Sequence, residues 1–108
     1  MTDQFKLWQI LSFQKSAMLL IDENLLIIHA NPSAQTLFGS DLIGISAKNE
    51  RFKDLPIDLA FRQQKLIKMN DYVLLHADLT KHHYLVEISP MFDDSQFRGV
   101  ILNLTDET

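Results

Sequence analysis

The chain has no cysteine among its 108 residues, which excludes disulfides, thiolate nucleophiles and cysteine-held metals. That lack agrees with a reducing, cytoplasmic setting. Glycine occurs three times, and Gly39, Gly44 and Gly99 stand apart, so no glycine-rich loop exists to cradle a phosphate. No apolar run approaches the length that spans a bilayer. Asp3 and Gln4 interrupt the N-terminus early, which argues against a signal peptide. Clustered basic charge is missing too. Ten Lys and Arg stand against fourteen Asp and Glu, for a net charge of −4. Nucleic-acid binding needs grouped cations to neutralise phosphates. Lys65 to Lys68 and Lys81-His82-His83 come nearest, and both read as solvated surface.

What is present fits one globular domain: 46% of residues are hydrophobic and 22% charged. The most informative stretch is Ser16 to Gly39. It reads as a strand over Met18 to Ile21, a polar reversal at Asp22-Glu23-Asn24, and a second strand from Leu26 to His29. Asn31-Pro32 then opens a short helix. The Asn side-chain oxygen can accept an orphan first-turn amide, and Pro has the helical φ and lacks a donor that would be unpaired anyway. Ala34, Leu37 and Phe38 share a face, and Gly39 suits a left-handed stop. His29 is expected to pack against this helix.

Around that segment the chain divides into an N-terminal amphipathic helix, residues 1–15, and a domain over 16–108. Phe5, Trp8 and Leu11 recur at threefold spacing, with Leu7 and Ile10 widening the stripe. So short a helix needs a surface to dock on, either its own domain or a second copy. Asp41 to Phe52 suggests short helical turns and loops. Pro56 to Asn70 reads as a helix stopped by Asn70. Tyr72 to Leu79 reads as a strand with Val73, Leu75, Ala77 and Leu79 on one face. Strands at His83 to Ser89 and Phe97 to Leu104 follow, with Pro90 marking an edge or an interruption. The order predicts an α+β domain with one five-stranded antiparallel sheet and helices on one face.

The search for chemistry finds little. His82 and His83 are adjacent and in a strand point to opposite faces. His76 lies across the hairpin, with Asp78 nearby, and two imidazoles and a carboxylate could hold a metal. Nothing in the spacing demands one, and solvated hairpin residues are the preferred account. Asp22, Glu23, Asp93 and Asp94 sit at turns. Glu87 is the one mid-strand carboxylate and is assigned to the polar face of the sheet. No catalytic, cofactor-binding or metal residue is assigned.

The two strands, the Asn31-Pro32 step and the capped helix together resemble the opening of a PAS domain, and the element order matches that fold throughout. Leu19-Leu20-Ile21-Asp22 and Ala30-Asn31-Pro32-Ser33-Ala34 look most like the nitrogen-regulation sensor histidine kinases of the NtrB family. Asp106-Glu107-Thr108 stands where many PAS domains end in Asp-Ile-Thr or Asp-Val-Thr, at the junction to an output domain. Glu107 replaces the usual apolar residue. The resemblance implies a regulatory, dimerising sensor domain, an N-terminal fragment whose kinase lies beyond Thr108. It implies no catalysis by the fragment itself, and a parent acting on the regulator NtrC under PII signalling. It places a homodimer contact at Phe5, Trp8 and Leu11, a signal exit at Asp106 and Thr108, and a structural joint at Asn31, Pro32 and Gly39. Flavin-adduct relatives need a cysteine, and haem-binding relatives a histidine on the Pro56 to Asn70 segment, which offers only Met69. No cofactor is therefore expected, although a redox flavin is compatible with the residue types. The alternative is a ligand- or cofactor-binding sensor of another signalling protein, such as a cyclic-dinucleotide enzyme. Neither nucleic acid nor membrane is expected as a partner.

Overall fold

A computed structural model describes residues 16–76 and 78–107. The expectations placed on residues 1–15, Ala77 and Thr108 lie outside the described residues. Five strands and two α-helices follow in the order β1 (Ala17–Asp22), β2 (Ile27–Ala30), α1 (Pro32–Phe38), α2 (Ile57–Gln63), β3 (Ile67–Leu75), β4 (Lys81–Asp93) and β5 (Gln96–Asp106). A single 3-10 turn, Glu50–Phe52, precedes α2. The sheet has the order β2-β1-β5-β4-β3, with every neighbouring pair antiparallel.

The first reversal is made by one carboxylate. Asp22 Oδ1 accepts the amides of Asn24 and Leu26, each at 2.9 Å, so the side chain does the work of a backbone turn. The chain then reaches Asn31, which is 1% exposed. Its Oδ1 accepts from the Ala34 amide in the first turn of α1 and from the Met18 amide in β1, both at 2.9 Å. Its Nδ2 donates to the Ser16 carbonyl at 2.7 Å. Pro32 fills the first helical position, where a missing donor leaves no hydrogen bond unmade. At the other end, the Gly39 amide donates to Gln35 O, with φ +111° and ψ 162°. That is a positive φ without the full left-handed helical turn expected from the sequence.

One face of the sheet carries the core. Leu19, Ile21, Val86, Ile88, Val100 and Leu102 are each fully buried against Ala34, Phe38, Leu42, Phe52, Ile57 and Ala60 from the helices and loops. Each such aliphatic side chain contributes roughly 1.5–3 kcal/mol by leaving water. Gly99, opposite Asp22 in β1, sits at φ +126°, and a Cβ there would lie 2.0 Å from the Ile21 carbonyl oxygen.

Two expectations are overturned. The Pro56 to Asn70 helix ends at Gln63, because Gln64 adopts the left-handed conformation at φ 52° and returns its amide to Ala60 O. The chain then becomes strand: Ile67 pairs with Ile88 and Met69 with Val86, and this pairing overrides the helical preference of the sequence. Second, a bulge between Met69 and Tyr72, with Asp71 at φ 59°, resets the alternation of β3. Tyr72 is buried, while Val73, Leu75 and Leu79 are 43%, 61% and 78% exposed. The strand expected over Tyr72 to Leu79 ends at Leu75, with Leu79 in the turn at φ 67°. Pro90 stands at an edge, as expected, while β4 runs on to Asp93 paired with β5. Partnering by β3 ends at Ile88, so the missing amide of Pro90 lies beyond it.

His29 is a further correction. It pairs with Leu20 and is exposed, on the face away from the core and from α1.

Asn31→Ala removes two buried hydrogen bonds and one part-buried bond, and leaves their backbone partners unpaired. Urea denaturation should show a loss of about 2–4 kcal/mol. Gly99→Ala should lower the same midpoint further than Gly44→Ala, since the added carbon meets backbone at Gly99 and nothing within 4 Å at Gly44.

Candidate functional site

A cleft of about 190 Å³ opens at the end of the sheet where β1 begins and β5 finishes. Ser33, Thr36 and Leu37 of α1 form one wall, and Ala17, Leu104, Tyr84 and Asp106 the other. The antiparallel arrangement brings these together: Ala17 pairs with Leu104, and Tyr84 with Asp106. Apolar side chains make the floor, and the polar groups gather at Tyr84 and Asp106.

From that wall a polar network spreads into the β3–β4 hairpin. The Tyr84 hydroxyl lies 2.8 Å from His76 Nε2. Burial first, and then the charge of Asp106, raises the Tyr84 phenol above its ordinary range. His82 Nδ1 is 2.9 Å from Asp106 Oδ2, and its Nε2 is 3.0 Å from Thr80 Oγ1. Thr80 in turn donates to Asp78 Oδ1. That bond, ahead of the amide of Thr80 and the nearby imidazoles, holds the Asp78 carboxyl below its usual value. The His76 and His82 rings stack in parallel, with centroids 3.6 Å apart and planes at 8°. One residue on, the Glu107 amide donates to His83 O at 2.8 Å.

The structure thus brings His76 and His82 together, with Asp78 joined through Thr80. The rings meet face to face rather than edge-on around a common point, and the described residues hold no group of three side chains suited to a metal. Glu87 lies on the outer face, 4.0 Å from Lys68. Met69, the one haem ligand considered, is on β3 and not on a helix. Between sheet and helices the space is filled by Leu42, Phe52, Leu55, Ile57 and Ala60. Asp106 stands at the cleft, whereas Phe5, Trp8, Leu11 and Thr108 lie outside the described residues. Tyr84, Thr80 and Thr36 were not singled out in the sequence. The only signal for the first two was the His76, Thr80, His82, Tyr84 spacing around one turn.

A five-stranded antiparallel sheet with helices on one face, and with the start of β1 beside the end of β5, is the frame of a sensory signalling domain. Residues 9–75, more than half of the chain, match the sequence profile of the PAS domain, and the protein belongs to that family. No curated protein matches the sequence. Among solved structures, the PAS domain of the histidine kinase ThkA superposes with a TM-score of 0.72 at 18% identity, over 84% of this chain and 98% of that one. The PAS domain of nitrogen regulation protein NR(II) from Vibrio parahaemolyticus gives 0.63 at 21% identity, over 91% and 94%. VqmA of Vibrio cholerae, in a complex with ligand and DNA, gives 0.74 at 16% identity. This chain spans 96% of its own length there but only 52% of VqmA. The fold therefore occurs in histidine kinases and in other signalling proteins. No helix among the described residues is long and apolar enough to cross a membrane.

Both core-side tyrosines have raised phenol pKa values, Tyr72 through burial and then Asp54. Their contribution to stability is present below the unfolded phenol value of about 10 and is lost as pH rises above it. Thermal melting from pH 8 to 11 should fall less steeply in Tyr72→Phe than in the natural chain. Equal slopes would contradict the assignment.

Proposed function

We propose that this PAS domain is the dimerising regulatory module of a cytoplasmic sensor histidine kinase of the NtrB kind, controlling nitrogen assimilation through NtrC. The observation that carries the dimer reading is the second face of the sheet. By register, Leu20, Ile101, Leu85, Val73 and Leu75 share the side opposite the core, and Val73 and Leu75 are exposed. Asn103, on the same side, has its Oδ1 buried with no hydrogen-bond partner among the described residues. A surface of this kind calls for a cover. The amphipathic stripe of Phe5, Trp8 and Leu11 supplies one, in a homodimer whose packing changes are passed through Asp106 and Thr108 to a kinase downstream.

Likeness to the NR(II) PAS domain over nearly the whole of both chains, and to that of ThkA, supports a kinase parent. Chemistry then belongs to the parent, and the PAS domain sets its rate.

Sedimentation velocity tests the contact. Replacing Phe5, Trp8 and Leu11 together by Asp should weaken self-association by more than tenfold while circular dichroism stays unchanged. Unaltered association would remove this interface. For the nitrogen reading, the parent kinase should transfer phosphate to NtrC and reverse this in the presence of PII. Failure of that transfer would favour another signalling parent, and a coloured absorption spectrum a cofactor-carrying sensor.

A further inference from the structure

Both hydrogen bonds of the His82 ring end on acceptors. Asp106 Oδ2, 2.9 Å from Nδ1, belongs to a carboxylate, which only accepts. Thr80 Oγ1, 3.0 Å from Nε2, has a single proton, and that proton is directed at Asp78 Oδ1. A neutral imidazole carries one N–H and would leave one of the two contacts with no proton between its atoms. Only the imidazolium, with a proton on each nitrogen, satisfies both.

We propose that His82, held between Asp106 and Thr80, is a proton-operated clasp that fastens the end of β5 to the β3–β4 hairpin. The surrounding charges favour a cation at this place. Asp78 faces it from the turn, and Asp106 and Glu107 stand at the end of β5. Lys81 is its neighbour on its own strand. His83 points to the opposite face, 3.8 Å from Asp71. α1, across the cleft, presents Ser33 and Thr36 and no charged side chain. The Tyr84 hydroxyl lies 2.8 Å from Nε2 of His76, whose ring stacks on that of His82. A second proton on His76 would set two cations 3.6 Å apart.

Imidazole is the side chain that ordinarily changes charge between pH 5 and 8. With a proton on each ring nitrogen of His82 the clasp is closed. Without the second proton, one of the two ring contacts is lost and the last residues of β5 loosen. The clasp is a property of this chain alone, whereas its use in signalling rests on the exit role proposed for Asp106.

Amide hydrogen exchange of the natural chain, expressed as protection factors from pH 5.5 to 8, reads the clasp at Glu107, whose amide bonds to His83 O. Protection should be about tenfold greater at the acid end, the scale of one charge-assisted hydrogen bond at a partly exposed site. His82→Gln should flatten the profile, and His76→Gln should preserve it. Nitrogen NMR of the His82 ring should report both nitrogens protonated wherever Glu107 is protected. A flat profile in the natural chain, an unchanged one in His82→Gln, or a neutral His82 ring with Glu107 still protected would overturn the clasp. Those results would leave phosphoryl transfer by the parent untouched, and a parent without kinase activity would leave the exchange profile untouched.

Discussion

The fold turns on one buried amide side chain. Asn31 joins three elements with one group: it caps α1, accepts from β1 at Met18, and donates to the carbonyl of Ser16 just before β1. Few side chains could replace it. A carboxylate would accept both amides but could not donate to Ser16, and a hydroxyl lacks the reach to serve all three. Because the group is buried, each lost bond would leave a backbone partner unpaired, so the joint is held in one geometry rather than several. That geometry sets α1 against β1 and lets Ala34 and Phe38 enter the core.

The same joint places the candidate site. α1 can form a cleft wall with Ser33, Thr36 and Leu37 only because its start is fixed to β1. β1 in turn lies beside β5, so the beginning and end of the domain share one end of the sheet. A change at Asp106 therefore has a short path to α1 and to the start of β1. Tight packing strengthens this connection, since Gly99 brings β5 so close to β1 that no side chain fits between their backbones.

Much of this was legible in the sequence wherever chemistry was local. Asn31-Pro32 names a helix start by its own atoms, and Asp22 to Asn24 names a turn. The five-strand order followed from alternation between such signals. Long-range pairing was less legible. Lys65 to Asn70 has helical residues, yet Ile67 and Met69 find Ile88 and Val86 across a strand, and that partnership outweighs small local preferences. The β3 bulge was not legible either, although one extra residue inverts every side chain after it. The polar network at the sheet end was half visible. His76 and His82 could be set across a hairpin, but the pairing of His82 with Asp106 depends on register between β4 and β5, some two dozen residues apart in sequence.

Where a signal can act is narrowed by how the interior is used. Leu42, Phe52, Leu55 and Ile57 fill the space between sheet and helices, and a ligand entering there would have to displace packed side chains. The outer sheet face and the sheet end impose no such demand. Apolar residues on the first meet water on one side, and His82 at the second meets the Asp106 carboxylate within hydrogen-bond distance. These two regions meet along β5, whose side chains alternate between them: Ile101 and Asn103 face outward, and Leu102 and Leu104 inward, before Asp106 reaches the clasp. One strand is thus exposed to packing on its outer face and to proton binding at its end. The two inputs would act on the same rigid element, which is the condition for each to alter the response to the other.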